Sequence, residues 1–297
     1  MEHTARFTPN FFVVGTFKGG TTSIHQYLSQ HPDIFMPALK EPRYFAYDTD
    51  NPEHRNADAS LYPVRSEEDY LGLFNGVAGQ RAIGEASPIY LDSPQAAGRI
   101  AKFNPDAKII VSLRDPISRA VSGYQMWVRS GKEHRPMVDA LRPGERWIEG
   151  SLYAEKLRRY YDHFPAEHIK VLLFDELIAD TPRAVQSLFE FLGVAPNYTP
   201  DTRKRFNPGG MPKSRTVQSV VYRLKYITRR NPAIKKLAPD WLLRAYHTVR
   251  NTNLDRVSIP ADMDQMLAQY YVTDADEVAR ITGLPTDIWR LHERARG

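Results

Sequence analysis

The 297-residue chain contains no cysteine. That excludes disulfides, thiolate metal sites and a cysteine nucleophile, and it is compatible with a reducing compartment. No apolar run approaches the roughly 18 residues that a membrane-spanning helix needs. The stretch MEHTARFTPN, Met1–Asn10, lacks the apolar core of a secretory signal. Repeats and low-complexity tracts are absent too, so nothing points to a solenoid or a disordered tail. A soluble, cytoplasmic protein is the expectation. Hydrophobic residues make up 42% and charged residues 25% of the chain, ordinary values for a globular domain with a full core.

Acidic residues are scarce in one place. Residues 213–250 hold ten Lys/Arg and a single acid, Asp240. That segment therefore carries +9, leaving −4 for the remainder of a chain whose net charge is +5. Such a stretch is either a surface for an anion or a solvated helix face. It is expected to be helical: Val217, Val220, Val221, Leu224 and Ile227 fall at helical spacing.

Four short runs rich in Val, Ile, Leu and Phe predict strands: Phe11–Gly15, Ala82–Glu85, Lys108–Leu113 and Ile169–Phe174. Predicted helices follow at Thr21–Gln30, Pro116–Ser130, Leu152–Phe164 and Ala184–Leu192. Asp115 and Pro116 form a start signal and Gly193 a stop signal. Asp262–Leu284 predicts one or two closing helices, and Asp48–Ser66 and Asn197–Pro212 read as long loops. Strands alternating with helices predict an α/β fold, a parallel central sheet flanked by helices, in one domain over residues 1–297.

The first strand–helix junction, FFVVGTFKGGTTSIHQYL (Phe11–Leu28), has the layout of a phosphate-binding P-loop. Gly15 and Gly20 match the spacing of G-x-x-x-x-G-K-[ST], and Thr22 takes the Ser/Thr place. The lysine place is held by Thr21, and the lysine has moved back to Lys18. Backbone N–H groups at a helix start attract phosphate oxygens, Gly19 and Gly20 allow close approach, and Thr21, Thr22 and Ser23 add hydroxyl donors. From within the turn, Lys18 would reach a bound group from another side, near a bridging oxygen. A nucleoside triphosphatase also needs an acid at a second strand end to help hold magnesium. Here the strand KIIVSL ends in RDP, so a cation, Arg114, opens into that place. Arg114 and Ser122, two turns into the next helix, can address one extra phosphate near the sheet's carboxyl edge. Separately, LKEPRYFAY (Leu39–Tyr47) sets Glu41 between Lys40 and Arg43 and before three aromatics. A partly enclosed glutamate of this kind can act as general base, or it can be a turn residue in local ion pairs.

These three stretches, in this order, resemble the sulfotransferases that use 3′-phosphoadenosine-5′-phosphosulfate (PAPS), closest to their bacterial and heparan-sulfate-type branch. GTFKGGTTSIHQYLSQHPDIF is similar to that family's 5′-phosphosulfate loop, RDPISRAVSGY to its 3′-phosphate motif, and KEPRYF to the segment with its base. GEASPIYL (Gly84–Leu91), LYAEKLRRYYDHFPAEHIKVLLFDEL and ITGLPTDIW also fit the family's layout. The resemblance implies a P-loop nucleoside-triphosphate-hydrolase-like sulfotransferase fold, with PAPS as co-substrate and no metal. It further implies a small-molecule or glycan acceptor, sulfated on a hydroxyl or an amine, and no nucleic-acid partner. By position, Lys18 would contact the sulfonate and bridging oxygen, and Gly19, Gly20, Thr21, Thr22 and Ser23 would cradle the phosphosulfate. Arg114 and Ser122 would bind the 3′-phosphate, and Glu41 would be the base. Tyr153 would line the nucleotide site, and Lys213, Ser214 and Arg215 in MPKSRT would form a basic loop over it. Two departures weigh against a heparan acceptor. Ala86 stands where heparan 3-O-type enzymes have a lysine, and Ala46 replaces an acid, with Asp48 two residues on. A magnesium-dependent P-loop kinase of a small molecule and a non-catalytic binder of acidic surfaces are the alternatives.

Overall fold

The computed structural model describes residues 7–202, 211–212, 254–255 and 258–297. The basic segment 213–250 and its apolar stripe lie outside the described residues. Two compact units divide the chain. The first gathers Met1–Asp115, Leu152–Phe206 and Val272–Arg290, and the second gathers Pro116–Ser151, Asn207–Tyr271 and Leu291–Gly297.

A five-stranded, all-parallel sheet forms the first unit: β1 (Phe11–Gly15), β2 (Ile34–Phe35), β3 (Ala82–Ala86), β4 (Lys108–Leu113) and β5 (Ile169–Leu173), in the order β2-β3-β1-β4-β5. All five residues of β1 are buried, the mark of a central strand covered on both faces. One face packs Phe11, Val13, Ile110 and Leu172 against Ile24 and Leu28 of helix α1 (Thr21–Leu28) and against Val185, Leu188 and Phe189 further along. On the other face, Phe12 meets Phe45 edge-on at 5.6 Å, and Phe45 also contacts the rings of Tyr70, Tyr90 and Phe103.

All four expected strands form, and β1 and β4 have the expected ends. β2 escapes a sequence reading because only two residues pair. Phe174, expected at the end of β5, instead opens the helix Phe174–Ala179. The helix expected from Ala184 begins at Thr181, because the Asp180 carboxylate accepts the Arg183 N–H at 3.1 Å and Pro182 occupies the first turn. The helix Ala154–Tyr161 is capped from far along the chain: the Asp274 carboxylate accepts the N–H groups of Tyr153 (2.7 Å) and Ala154 (3.1 Å). The closing segment is one helix, Ala261–Thr282.

The second unit is built on helix α2 (Pro116–Arg129), which buries Ile117, Ala120, Ser122 and Tyr124. Gly123 lets the Trp147 ring lie against the helix, where a methyl would sit 2.6 Å from a ring carbon. Arg119, also buried, donates to the Trp147 carbonyl at 3.2 Å and to Ser151 Oγ at 3.3 Å. Tyr271 donates to the Ile148 carbonyl at 3.0 Å. Met211–Pro212 pairs antiparallel with Leu254–Asp255.

Two glycine substitutions test the packing of the first unit. At Gly19 a methyl would collide with the Ser112 carbonyl oxygen and the Thr16 side chain, and neither can move without disturbing the sheet. Gly19→Ala is expected to lower unfolding free energy by about 1–3 kcal/mol in a urea titration. Gly72→Ala, exposed and with open space around it, is expected to be neutral or to stabilise by under about 1 kcal/mol.

Candidate functional site

Three neighbouring strands of the first unit deliver the sequence-identified residues to one sheet edge. β1 ends at Gly15 and leads into the turn Thr16–Gly20; β4 ends at Leu113 and leads into Arg114. At the same edge of β3, the Glu41 N–H donates to the Ala86 carbonyl at 3.1 Å. This is the carboxyl edge of a parallel sheet, where ligands of such folds bind.

The turn after β1 is fixed from β4. Thr16 N–H donates to the Ser112 carbonyl at 2.8 Å, and Ser112 Oγ donates to the Gly19 carbonyl at 2.6 Å. Inside the turn, Gly19 N–H donates to the Thr16 carbonyl at 2.9 Å. Lys18 and Gly20 both take left-handed backbone conformations, φ 74° and 85°. At Gly20 a methyl would stand 2.9 Å from the Phe174 ring, so glycine serves both φ and space. The Gly20 carbonyl accepts from Ser23 (2.9 Å) and Ile24 (3.1 Å) and so starts α1. The amides of Thr21 and Thr22 belong to the first helical turn, where intrahelical partners do not exist. They remain for an anion, with the positive end of the helix dipole behind them. Thr16 Oγ1 is enclosed and has no hydrogen-bond partner among the described residues. Thr21 is buried, and Thr22 and Ser23 are partly exposed.

Arg114 lies against this turn. Its guanidinium donates to the Lys18 carbonyl at 3.4 Å and sits 4.9 Å over the Phe174 ring. Burial pulls its pKa down, while Tyr153, Asp115 and Asp175 favour its charge. A half-buried cation beside a helix start suits negative charge. Tyr153 is fully buried and donates from its hydroxyl to the Arg114 carbonyl at 2.9 Å, so it props the backbone under the guanidinium. Ser122 belongs to the second unit, buried on α2. Lys213, Ser214 and Arg215 lie outside the described residues.

Glu41 occupies a strained turn. It precedes a proline, which favours extended backbone, yet has φ 61°, and Arg43 has φ 60°. Left-handed conformations cost non-glycine residues on the order of 1 kcal/mol each, so the turn persists only because its surroundings hold it. Lys40 Nζ donates to Glu41 Oε1 at 2.8 Å, and the Arg43 guanidinium pairs with Oε2. Burial pushes the Glu41 pKa up, but Lys40 and Arg43 together outweigh it, and the carboxyl titrates below its ordinary value of 4.5. Glu41 is thus an oriented carboxylate between two cations.

One acid in this region gave no signal by motif. Glu85 is completely buried in β3. It accepts from Tyr90 (2.6 Å), Ser87 (2.8 Å) and Tyr70 (3.4 Å). Burial raises its pKa, the three hydroxyls work against that, and the balance is a rise from 4.5 to about 7. An acid in the otherwise apolar strand AIGEA was the available clue. His25 on α1 is also buried, and burial followed by the charge of Lys40 lowers its pKa to about 4. Among the described residues no group of three or more His, Asp or Glu is placed to hold a metal ion, and no helix is long and apolar enough to cross a membrane.

Comparison with known proteins places this geometry. The model of the sulfotransferase family matches residues 9–200. A sulfotransferase from Alicyclobacillus acidocaldarius superposes with a TM-score of 0.70 at 29% identity, over 96% of this chain and 99% of that one. The parallel sheet and its flanking helices are thus those of a sulfotransferase, a P-loop nucleoside-triphosphate-hydrolase-like fold. Membrane-associated sulfotransferase kil1 of Dictyostelium discoideum is 37% identical over 127 residues, 42% of this chain and 25% of its own length. Human heparan sulfate glucosamine 3-O-sulfotransferase 5 is 26% identical over 201 residues, 63% of this chain and 54% of its own length. The chain thus spans from a quarter to about half the length of these curated relatives.

Two titrations test the electrostatics. By carbon-13 NMR, the Glu41 carboxyl should titrate below 4.5, and Lys40→Met should move the midpoint up; an unmoved midpoint contradicts the pairing. Because Glu85 has a higher pKa folded than unfolded, its contribution to stability falls as pH rises from about 4.5 to about 7 and is level above. His25, with a folded pKa below its ordinary 6.5, acts in the opposite sense, so the informative quantity is the difference between wild type and Glu85→Gln. In urea titrations from pH 5 to 8, the wild type is expected to lose stability relative to the variant as pH rises.

Proposed function

The chain belongs to the sulfotransferase family, and on that premise we propose that it moves a sulfonate group from PAPS to a hydroxyl or amine of an acceptor. The single observation that carries this reading is the meeting of the lysine-bearing turn, Arg114 and Glu41 at one sheet edge. The residues there suit an adenosine bisphosphate. Close packing of Gly19 on Ser112 and of Gly20 on Phe174 fixes the turn, the orphan Thr16 hydroxyl lies within it, and Arg114 is a half-buried cation beside it. When bound, PAPS supplies an activated sulfonate: a new bond from acceptor to sulfur replaces the bond to the bridging phosphate oxygen, and 3′,5′-ADP leaves.

The rest falls to this chain. Gly19, Gly20, Thr21, Thr22 and Ser23 hold the 5′ end with amides and hydroxyls. Lys18 meets the charge that grows on the bridging oxygen. Arg114 takes the 3′-phosphate, the charge that distinguishes this nucleotide from ADP, and Tyr153 keeps Arg114 in position. Lys213, Ser214 and Arg215 are assigned to the nucleotide by the family resemblance alone. Glu41 takes the acceptor's proton. Its cation partners keep it ionised and aimed at the cost of basicity, so the proton transfers late, once bonding to sulfur has made the acceptor acidic. The work is positioning and electrostatics, carried by side chains rather than a metal.

The acceptor is a small molecule or a glycan. The name of the human relative specifies a glucosamine of heparan sulfate, but Ala86 and Ala46 depart from that branch, so a different hydroxyl or amine is proposed here. The cysteine-free composition supports a cytoplasmic setting. The +9 charge of the stretch 213–250 is proposed to attract an anionic partner.

The test follows turnover of sulfur-35-labelled PAPS across an acceptor panel. Lys18→Ala and Glu41→Gln are each expected to lower kcat by about 10²-fold or more. Glu41→Gln should still bind 3′,5′-ADP, whereas Arg114→Ala should bind it about tenfold or more weakly. Full transfer by the Lys18 or Glu41 variant contradicts the assignment.

A further inference from the structure

Glu85 has no role in the transfer just described, yet among the described residues it is the most completely enclosed charged side chain. Its partners lead directly to the Glu41 turn. Ser87 Oγ donates to Glu85 Oε2 at 2.8 Å and accepts the Arg43 N–H at 3.1 Å. Tyr90 donates to Glu85 Oε1 at 2.6 Å and accepts the Phe45 N–H at 3.4 Å. We propose that Glu85 is the positioning residue of the Glu41 turn, holding the backbone of Arg43 and Phe45 through the hydroxyls of Ser87 and Tyr90. The role rests on the reading of Glu41 as the base.

The polarity of the hydrogen bonds carries the inference. Above pH about 7, where Glu85 is ionised, its carboxylate only accepts, and a hydroxyl has one proton. By drawing the protons of both Ser87 and Tyr90, Glu85 obliges each hydroxyl to turn a lone pair outward. Those lone pairs receive the two amides of the turn. Glu41 N–H to the Ala86 carbonyl adds a third tether, from the strand residue between Glu85 and Ser87. Tyr44, within the same turn, stacks on Tyr70 at 4.6 Å, and Tyr70 also points its hydroxyl at Glu85. Glu41 and Arg43, both held at positive φ, would relax toward extended backbone without these anchors. A neutral amide at 85 removes the enforced direction, because its NH₂ group donates and lets a hydroxyl proton swing toward the amide it should accept from.

Amide hydrogen exchange on the full chain, at a pH above the Glu85 midpoint of about 7, tests this residue by residue. Ser87→Ala should speed exchange at Arg43 by about tenfold, the scale of one lost hydrogen bond. Tyr90→Phe should do the same at Phe45, and Glu85→Gln at both, with β1 and β4 keeping wild-type protection. In turnover of labelled PAPS with water as acceptor, the same variants should lower kcat about 10–100-fold while KM for PAPS stays constant. Ser87→Thr, which keeps the hydroxyl, should recover the rate. If Glu85→Gln does not fold, the two hydroxyl variants carry the test with Glu85 intact. Wild-type exchange at Arg43 and Phe45, uniform loss of protection across the sheet, or a raised KM with unchanged kcat each overturns the positioning role. A Glu41→Gln variant run alongside separates the claims: full turnover in it sinks the base reading, whereas the exchange pattern judges Glu85 independently.

Discussion

Ser112 holds the turn on which the site depends. It accepts Thr16 N–H with its carbonyl and donates to the Gly19 carbonyl with its hydroxyl, so strand β4 grips both ends of the turn that leaves β1. The grip works only because residue 19 has no side chain, since a methyl there would occupy the space of the Ser112 carbonyl. With the turn fixed, α1 begins at Thr21 with its first amides facing the sheet edge. Arg114, two residues beyond Ser112 on the same strand exit, reaches the Lys18 carbonyl. One serine thus links the helix start proposed to bind an anion to the half-buried Arg114 beside it.

The second constraint is local charge. Glu41 and Glu85 are close in the fold and opposite in environment. Glu41 sits between Lys40 and Arg43, which hold its carboxyl below its ordinary value despite its partial burial. Glu85 is sealed in the sheet with hydroxyls for partners and titrates near neutrality. Environment, not residue type, sets the two carboxyls apart, and it underlies the separate tasks proposed for them.

Much of this was legible in the sequence because it is written in local pattern. Phe11–Gly15 and Lys108–Leu113 are short apolar runs between turn residues, and both strands form with the expected ends. The glycine spacing, the displaced lysine and the arginine at a strand end mark the turn and its companion in the sequence itself. What stayed hidden depends on contacts far apart in the chain. The pairing of Ile34–Phe35 with β3, the cap from Asp274 onto the helix at Ala154 and the grip of Ser112 on Gly19 have no local signature. Glu85 was concealed for the same reason: its partners Tyr70 and Tyr90 are ordinary aromatics until the sheet assembles around them. At Glu41 both neighbouring cations turn onto the carboxylate, forming the local ion pairs that the adjacent Lys40 and Arg43 allowed.

The central claim is that the turn and Arg114 together form a metal-independent site for an adenosine carrying phosphates at both the 3′ and 5′ positions. Isothermal titration in the presence of EDTA, comparing 3′,5′-ADP with 5′-ADP, tests it most directly. The account predicts that 3′,5′-ADP binds at least about tenfold more tightly, as expected for one additional charge-assisted contact. Equal affinity for the two nucleotides, or binding that appears only when magnesium is restored, would contradict it.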